Sequence, residues 1–118
     1  MLKGCPDMAI DAIIYYGHSN PMKAQQIFYD KAVLPNGCIV EMTIWQLPNV
    51  STERPHGLKY SLFYGRDGIR LVGYDNERGK GDHKHIRDVE TRYKFVSVEK
   101  MVADCMADVK NARGEHDE

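Results

Sequence analysis

Apolar and polar residues alternate in several stretches of this chain, which is the pattern of β-strands that bury one face. Strands are predicted over residues 25–34, 38–47, 58–64 and 69–75. Residues 35–37 (Pro-Asn-Gly) and 65–68 are rich in turn formers, so they are predicted to connect neighbouring strands as hairpins. The pattern therefore predicts an antiparallel meander.

A long polar segment, residues 76–91, separates this meander from a last short strand predicted over residues 92–96. Ser97 then has the position of a helix N-cap. An apolar stripe with helical spacing comes after it: Val98, Met101, Val102, Cys105, Met106 and Val109. Because such a stripe packs on an apolar surface, we predict an α+β fold in which about four or five strands pack against a C-terminal amphipathic helix. The other face of the sheet is left for function or a partner.

The length of 118 residues corresponds to one domain, which we place at residues 22–110. Residues 1–21 differ in pattern from the rest of the chain and form an N-terminal extension. Within it, Asp7 as a cap and Gly17 as a stop indicate an extra helix over residues 8–16. Residues 111–118 are predicted to be a polar tail that frays.

The composition, with 42% hydrophobic and 28% charged residues, excludes a disordered or fibrous chain and is typical of a soluble domain. No apolar run approaches the roughly 18 residues of a membrane-spanning helix, so a cytoplasmic protein without membrane contact is expected. Cys5, Cys38 and Cys105 form no CxxC pair, which favours reduced thiols over disulfides or a zinc site. Cys105, on the apolar helix face, is predicted to lie in the core.

The net charge of -1 hides an asymmetry along the chain. Residues 54–94 carry ten Lys or Arg against six Asp or Glu, a net +4, so the remaining residues carry -5. His56, His83 and His85 add positive charge to this segment when they are protonated. The basic segment is therefore compatible with a polyanionic partner, although the average charge argues against one.

Residues 74–85, YDNERGKGDHKH, form a segment that we name the glycine loop. Gly79 and Gly81 allow its backbone to approach a ligand closely, while Arg78 and Lys80 offer donors to a phosphate. A solvated turn is the alternative, but opposite charges, glycines and two histidines within twelve residues favour a site. The spacing does not match a P-loop and the segment does not open a helix, so that motif is excluded.

His83 and His85 project to one face if their segment is extended. Because imidazoles titrate near neutral pH, they are candidates for the base that takes the 2′-hydroxyl proton of RNA and the acid that protonates the leaving oxygen. Two alternatives stay open: a metal site completed by Asp75 or Asp82, and surface histidines in a basic cluster. An HxH pair alone is a weak metal signal, so neither a metal nor another cofactor is predicted.

Residues near the glycine loop extend the basic surface, because Lys59 and Arg70 are expected on neighbouring strands of the meander. The predicted substrate-binding residues are Lys59, Tyr60, Arg70, Tyr74 and Asp75. The rings of Tyr74, Phe63 and Trp45 can stack on bases. The commoner role of Trp45 and Phe63 is in a core, and that alternative stays open.

The same residues resemble a known family. The run HGLKYSLFYG at residues 56–65, the glycine loop, residues 93–95 and the closing helix are similar to the TumE family of small toxins, over residues 22–109. The resemblance implies a toxin whose partner is a cognate antitoxin with a helix-turn-helix DNA-binding domain. Residues 1–21 have no counterpart in that pattern.

We therefore hypothesise a toxin of a toxin–antitoxin pair that acts on RNA as a metal-independent endoribonuclease. The RNA cleavage is an analogy with other small toxins. The catalytic candidates are His83, His85, Arg78 and Lys80. The alternative is a non-catalytic module whose basic sheet face binds nucleic acid or an acidic partner. Whether the chain forms a homodimer is left open.

Overall fold

A computed structural model describes residues 23–77 and 79–117 of the chain. They form β1 (Gln25–Val33), β2 (Ile39–Gln46), β3 (Leu58–Arg66), β4 (Ile69–Asp75), β5 (His83–Ile86), β6 (Val89–Arg92) and α1 (Val98–Asp117). Each strand pairs antiparallel with its neighbours in sequence, in the sheet order β1 to β6. The predicted α+β meander with a C-terminal helix is confirmed. The N-terminal extension and its predicted helix lie outside the described residues.

The first hairpin turns at residues 35–37, where the sequence predicts it. The Leu34 N–H donates to the Cys38 carbonyl at 2.8 Å, and Asn36 Oδ1 accepts from the Cys38 N–H at 2.9 Å. Gly37 supplies a φ of +88°, a conformation that a residue with a Cβ rarely adopts. The register of β2 against β1 is therefore set at this turn.

The sheet has six strands rather than the predicted four or five, because a short hairpin lies within the predicted loop over residues 76–91. The turn between β5 and β6, at Arg87 and Asp88, contains no glycine, and Arg87 itself adopts a left-handed φ of +55°. Both strands are four residues long, and three of the four residues in each are polar or charged. Neither a turn signal nor a clear alternation therefore marks this hairpin in the sequence.

The strand predicted over residues 92–96 is wrong, since β6 ends at Arg92 and residues 93–97 connect it to α1. The aromatic side chains of this connection pack against other rings. Tyr93 lies edge-on to Tyr74 with ring centroids 5.0 Å apart, and Phe95 lies 4.3 Å from the ring of His56. Their strand-like composition therefore reflects burial of the connection rather than sheet pairing.

α1 begins as predicted, with the Ser97 Oγ accepting from the Lys100 N–H at 3.1 Å. Its fully or nearly fully buried side chains are Met101, Cys105, Val109 and Ala112. The last of these extends the predicted stripe by a turn, and the helix continues to Asp117 through residues predicted to be a polar tail. No helix within the described ranges is long and apolar enough to cross a membrane.

The two cysteines in the described ranges, Cys38 and Cys105, are buried free thiols. Cys105 lies in the core as predicted. Burial raises the pKa of its thiol to about 12, because the thiolate would lose its hydration there. Both thiols therefore act as apolar packing groups.

The strand register gives the sheet two different faces. α1 packs on the covered face, which carries cross-strand rows of apolar side chains such as Met42, Leu62 and Tyr74. The Tyr74 hydroxyl donates to Asp108 of α1 at 2.5 Å, which fixes the helix over β4. Side chains one position along each strand point away from the helix. This second side, the open face, carries one cross-strand row made of Thr43, Ser61, Asp75, His83 and Arg92.

Candidate functional site

A polar cluster lies on the open face where β4 ends and β5 begins. Asp75 pairs with His83 and Gly73 with His85, so the carboxylate and both imidazoles project from the same side. The two imidazole ring centroids are 5.0 Å apart. His83 and His85 are only 4% and 9% exposed, although they lie on the face that α1 does not cover. We name Asp75, His83 and His85 the histidine cluster.

Both ring nitrogens of His83 face hydrogen-bond acceptors. Nε2 lies 2.8 Å from Asp75 Oδ1 and 3.7 Å from Glu90 Oε2, and Nδ1 lies 2.9 Å from the Gly81 carbonyl oxygen. A neutral imidazole has one N–H and can donate to one of these sides, whereas the imidazolium donates to both. Through these contacts His83 holds the end of the glycine loop, at Gly81, against Asp75 at the end of β4.

His85 has different surroundings, although it is two residues away. Burial lowers the pKa of His85 from its usual value, and the positive charge of Arg70 lowers it further. The carboxylates of Glu90 and Asp75 act in the opposite direction but do not reverse the shift. His85 is therefore the neutral member of the pair, with a ring that can accept a proton.

Arg70 reaches the histidine cluster because of a bulge in β4. The register between β3 and β4 shifts after Tyr64, which places Arg70 opposite Gly65 on the open face. Its side chain crosses Gly73, where a Cβ would lie only 2.5 Å from the Arg70 Cδ. The guanidinium thereby comes within 3.9 Å of Asp75 Oδ2. The absence of a side chain at Gly73 thus makes room for a cation beside His85.

A groove of about 300 Å³ opens next to His83. Its lining residues are Lys80, Asp82, His83, Glu90, Thr91 and Arg92. Lys80 lies in a turn between Gly79 and Gly81, whose φ values of +86° and +71° require glycine, and the Lys80 N–H donates to the Glu77 carbonyl at 3.1 Å. Two exposed cations, Lys80 and Arg92, therefore border a groove that has a histidine in its wall.

A second histidine–aspartate pair lies beside this groove. His56 Nε2 is 2.9 Å from Asp82 Oδ1, and the Tyr60 hydroxyl donates to the same oxygen at 2.6 Å. His56 Nδ1 accepts from the Leu58 N–H at 3.1 Å, so this nitrogen carries no proton and Nε2 is the donor. The His56 ring packs on Phe95. This cluster anchors Asp82, the last residue before β5, and is explained by structure alone.

Sequence reasoning missed Asn76, which is 1% exposed. Its Oδ1 accepts from the Tyr60 N–H at 3.1 Å and its Nδ2 donates to the Leu58 carbonyl at 2.8 Å. The amide side chain thus continues the pairing of β3 beyond the end of β4. The backbone carbonyl of Asn76 accepts a hydrogen bond from the Arg54 guanidinium at 2.9 Å. The position of an Asn directly after a buried strand was the available signal, since this side chain readily pairs with backbone groups.

The structure brings together only part of the predicted site. Asp75, His83, His85 and Arg70 meet at the histidine cluster, and Lys80 borders the adjoining groove. Lys59 is exposed on the open face, two positions along β3 from Ser61, the cross-strand partner of Asp75. Arg78, a predicted catalytic residue, lies outside the described residues.

Tyr60 and Tyr74, predicted to bind substrate, lie on the covered face. They are 3% and 0% exposed, and their hydroxyls donate to Asp82 and Asp108. Burial, followed by these hydrogen bonds, raises the pKa of both phenols. Both tyrosines therefore serve the core, and the structure does not bring them to the histidine cluster.

Among the residues that the structure describes, the histidine cluster also has the composition of a metal site. One ligand atom from each of Asp75, His83 and His85 lies within 4.8 Å of the others. The Nδ1 of His83 faces a backbone carbonyl, which is a common way to orient a histidine ligand. The nearby Arg70 guanidinium and the direct contact of Asp75 with His83 oppose a cation there. Metal and acid–base chemistry would therefore use the same three residues.

The sequence also matches a family model. The family described as Toxin TumE aligns with residues 16–113, which contain the whole sheet, the glycine loop and α1 as far as Arg113. No match was found among curated proteins or among solved structures. The matched range includes every residue of the histidine cluster and of the groove beside it.

Proposed function

This chain belongs to the TumE family of toxins, and from that premise we propose that it is an endoribonuclease whose acid–base chemistry is carried by His83 and His85. Membership of a toxin family implies an antitoxin as partner. The finer assignments are ours: the substrate is RNA, the antitoxin has a helix-turn-helix DNA-binding domain, and the toxin acts in the cytoplasm.

The observation that carries the proposal is the contrast between two adjacent imidazoles. His83 faces acceptors with both nitrogens, while burial and Arg70 favour the neutral form of His85. RNA cleavage without a metal needs one group that accepts a proton and one that donates a proton. Two histidines with such different surroundings suit this requirement, because differing environments can give the donor role to one group and the acceptor role to the other.

In the proposed reaction His85 takes the proton of a ribose 2′-hydroxyl. The 2′-oxygen forms a bond to the adjacent phosphorus, and the bond from phosphorus to the 5′-oxygen of the next nucleotide breaks. His83, entering as the imidazolium, gives its Nε2 proton to that leaving oxygen, which replaces Asp75 as the acceptor of this proton, so the products are a 2′,3′-cyclic phosphate and a free 5′-hydroxyl. The pair as a whole keeps the same number of protons, and exchange with water returns one proton to His83 and removes one from His85. Asp75, at 2.8 Å from the His83 Nε2, positions the acid.

Cations near the histidine cluster suit the negative charge that develops on the phosphate. Lys80 and Arg92 border the groove that His83 lines, and the Arg70 guanidinium lies 3.9 Å from Asp75 Oδ2. Donors placed where charge develops commonly provide the largest single part of catalysis. We assign Arg78, from its position in the glycine loop, to the same role.

The test is cleavage of RNA by the purified chain in an excess of chelator. We expect cleavage to persist, and the double variant His83→Ala/His85→Ala to lose it. A substrate with 2′-deoxyribose at the cleaved positions should resist, because it lacks the nucleophile. Lys100→Ala is the matched control, since Lys100 is an exposed cation on α1 whose salt bridge is with Asp104. The rate of this control should not change.

Three outcomes would contradict the proposal: no cleavage of RNA, undiminished cleavage by the double variant, or cleavage of the 2′-deoxy substrate. If chelator abolishes cleavage and added metal restores it, the histidine cluster becomes a ligand set and the acid–base assignment is wrong. The rate should also fall as the pH drops through the pKa of His85, which burial holds below its usual value, since protonation of His85 removes the base.

A second function is compatible with the low exposure of both histidines, which are 4% and 9% accessible. A non-catalytic module could bind nucleic acid or an acidic partner through the cations alone. Induced expression separates the two functions. We expect growth arrest by the wild type and none by His83→Ala, with RNA binding retained by the variant. Equal growth arrest by both chains would favour the binding module.

A further inference from the structure

The open face also carries an aromatic side chain away from the histidine cluster, and the role that we assign to it rests on the proposed RNA substrate. We propose that Trp45 and Lys59 form a platform that binds single-stranded RNA, with a base stacked on the indole and a phosphate paired with the ammonium group, a few nucleotides from the histidine cluster.

The sheet register places the two residues side by side. Trp45 of β2 pairs with Lys59 of β3, and both side chains project on the open face, opposite to α1. Trp45 is 36% exposed, and Lys59 is exposed as well. In contrast, the ring of Phe63 on the same face lies over Gly65, where a Cβ would be 2.7 Å from its Cζ. Phe63 therefore covers the sheet, whereas the indole of Trp45 remains available to a ligand.

The platform lies within reach of the cleavage site. Thr43, Ser61, Asp75 and His83 form one row across four adjacent strands, and Trp45 lies one pleat along β2 from Thr43. With strands about 4.8 Å apart and a pleat of about 7 Å, Trp45 and His83 are separated by roughly 16 Å. A strand of RNA with unstacked bases spans such a distance in a few nucleotides. One substrate can therefore contact both places.

The charges along this path suit a polyanion. Lys59, Arg70 and Arg92 are exposed cations on the open face. Of the neighbouring carboxylates, Asp75 is paired with His83, Glu90 lies 3.7 Å from the His83 Nε2, and Glu41 accepts from the Tyr29 hydroxyl at 3.1 Å. Salt-dependent phosphate contacts and base stacking are together the common way in which open protein surfaces bind single strands.

The chemistry of the platform distinguishes single-stranded RNA from a duplex. A base can stack on an indole only if it has left its neighbours, which unpaired nucleotides do at little cost. A duplex offers phosphates to Lys59 but no free base face to Trp45. The platform therefore predicts a preference for unpaired RNA that a merely cationic surface would not have.

The sequence supplies its own probe, because Trp45 is the single tryptophan of the chain. The experiment titrates the full chain with a single-stranded RNA oligomer made uncleavable by 2′-deoxy substitution, and records tryptophan fluorescence and the dissociation constant. We expect quenching of the indole. The Trp45→Ala variant has no indole, so its binding is measured with a fluorescently labelled oligomer. It should bind roughly five- to a hundredfold more weakly, which is the range for loss of one stacked base. Trp45→Phe should recover part of this affinity, and Lys59→Ala should reduce the salt dependence of binding.

Val89→Ala is the matched control, because Val89 is an exposed apolar residue, 62% accessible, whose cross-strand partner Ile86 lies in the row of the covered face. Its affinity should equal that of the wild type. Circular dichroism of each variant shows whether the sheet is retained. If Trp45→Ala does not fold, the RNA affinities of Trp45→Phe and Lys59→Ala test the platform.

The results separate this inference from the proposed cleavage. If RNA quenches the wild-type indole and the Trp45 and Lys59 variants bind RNA more weakly, but the wild type does not cleave RNA, the platform is supported and the endoribonuclease is contradicted. Cleavage with unchanged affinity in the Trp45 and Lys59 variants would overturn the platform alone. Absence of RNA binding, or equal quenching by a duplex of the same sequence, would also overturn it. Loss of antitoxin binding in Trp45→Ala with unchanged RNA affinity would assign this surface to the antitoxin instead.

Discussion

Two histidine–aspartate pairs lie close together in this protein and have nearly the same contact length. His56 Nε2 is 2.9 Å from Asp82, and His83 Nε2 is 2.8 Å from Asp75. Both histidines are largely buried. The first pair lies beside the packed connection that leads to α1, and the second lies on the open face. Their length and burial therefore do not reveal any difference in role.

The second ring nitrogen separates the two pairs. His56 Nδ1 accepts from the Leu58 N–H, so a proton cannot be added there without loss of that hydrogen bond. His83 Nδ1 faces the Gly81 carbonyl, so a proton there is stabilised. The first imidazole thus serves as a structural donor through Nε2 alone, whereas both nitrogens of the second face acceptors. A histidine should therefore be assigned a role from both of its nitrogens.

The strongest test of this comparison exchanges each histidine for glutamine. His83→Gln should lower RNA cleavage by about 10²–10⁴-fold, since it removes a proton donor, and should leave most of the stability. His56→Gln should do the reverse, with cleavage retained and a lower melting temperature. Single-turnover cleavage rates and thermal unfolding check this. Equal loss of cleavage in both variants would show that the two pairs form one functional unit.

Removal of the carboxylates should show the structural side of the comparison. Asp82→Ala leaves two buried donors, His56 Nε2–H and the Tyr60 hydroxyl, without their acceptor, which should lower the free energy of unfolding by about 2–4 kcal/mol. Asp67→Asn is the control, since this side chain is 84% exposed, its ion pair with Arg66 is on the surface, and asparagine tolerates the left-handed φ of +54° at this position. It should change stability by less than about 0.5 kcal/mol. Urea unfolding measures both, and similar values would refute the anchoring role of Asp82.

Gly65 and Gly73 both lie on the open face, and substitutions there test its backbone packing and its electrostatics separately. A Cβ at Gly65 would lie 2.2 Å from the Ile69 carbonyl oxygen, so Gly65→Ala should cost about 1–3 kcal/mol of stability as the backbone moves. A Cβ at Gly73 would meet the flexible side chain of Arg70 instead. Gly73→Ala should therefore cost less stability but displace the guanidinium.

The same displacement has an electrostatic readout. Because the charge of Arg70 helps to lower the pKa of His85, Gly73→Ala should raise that pKa, as measured by NMR titration of the imidazole. A pKa of His85 that does not move would show that burial alone determines its neutral state.

The smallest expected effect is on the pH dependence of stability. The pKa of His85 is lowered by folding, so the unfolded chain binds more protons, and stability is fully present above about pH 6.5 and is lost as the pH falls toward the folded-state pKa. One such group contributes a slope of at most about 1.4 kcal/mol per pH unit. Comparison of the wild type with His85→Leu by urea unfolding at several pH values isolates this contribution. Parallel pH profiles for the two chains would contradict the neutral state of His85.

Much of the fold could be predicted from the sequence because its signals are local. The turn at residues 35–37, the cap at Ser97 and the apolar stripe of α1 are each set by neighbouring residues. The hairpin of β5 and β6 escaped prediction because Arg87 takes a glycine-like φ and because every residue of β6 is exposed, so that strand has no buried face. β5 and β6 form because β5 pairs with β4, and a pairing between distant residues leaves no pattern in the local sequence.

The candidate site could be predicted in part for the same reason. Alternation is enough to place His83 and His85 on one side of an extended segment, and the structure has them in β5. The positions of Tyr60 and Tyr74 depend on which face α1 covers, and that is decided by packing across the whole sheet. The approach of Arg70 depends on a bulge and a side-chain gap at Gly73, which are tertiary features.

The meander topology has a consequence for how the chain matures. Every strand pairs with a neighbour in sequence, so each hairpin can close as soon as its second strand has left the ribosome. The helix that shields the apolar side of the sheet comes last in this order. During synthesis the growing sheet therefore presents its apolar side to solvent until α1 follows, and exposed apolar surface of this kind favours aggregation in that interval.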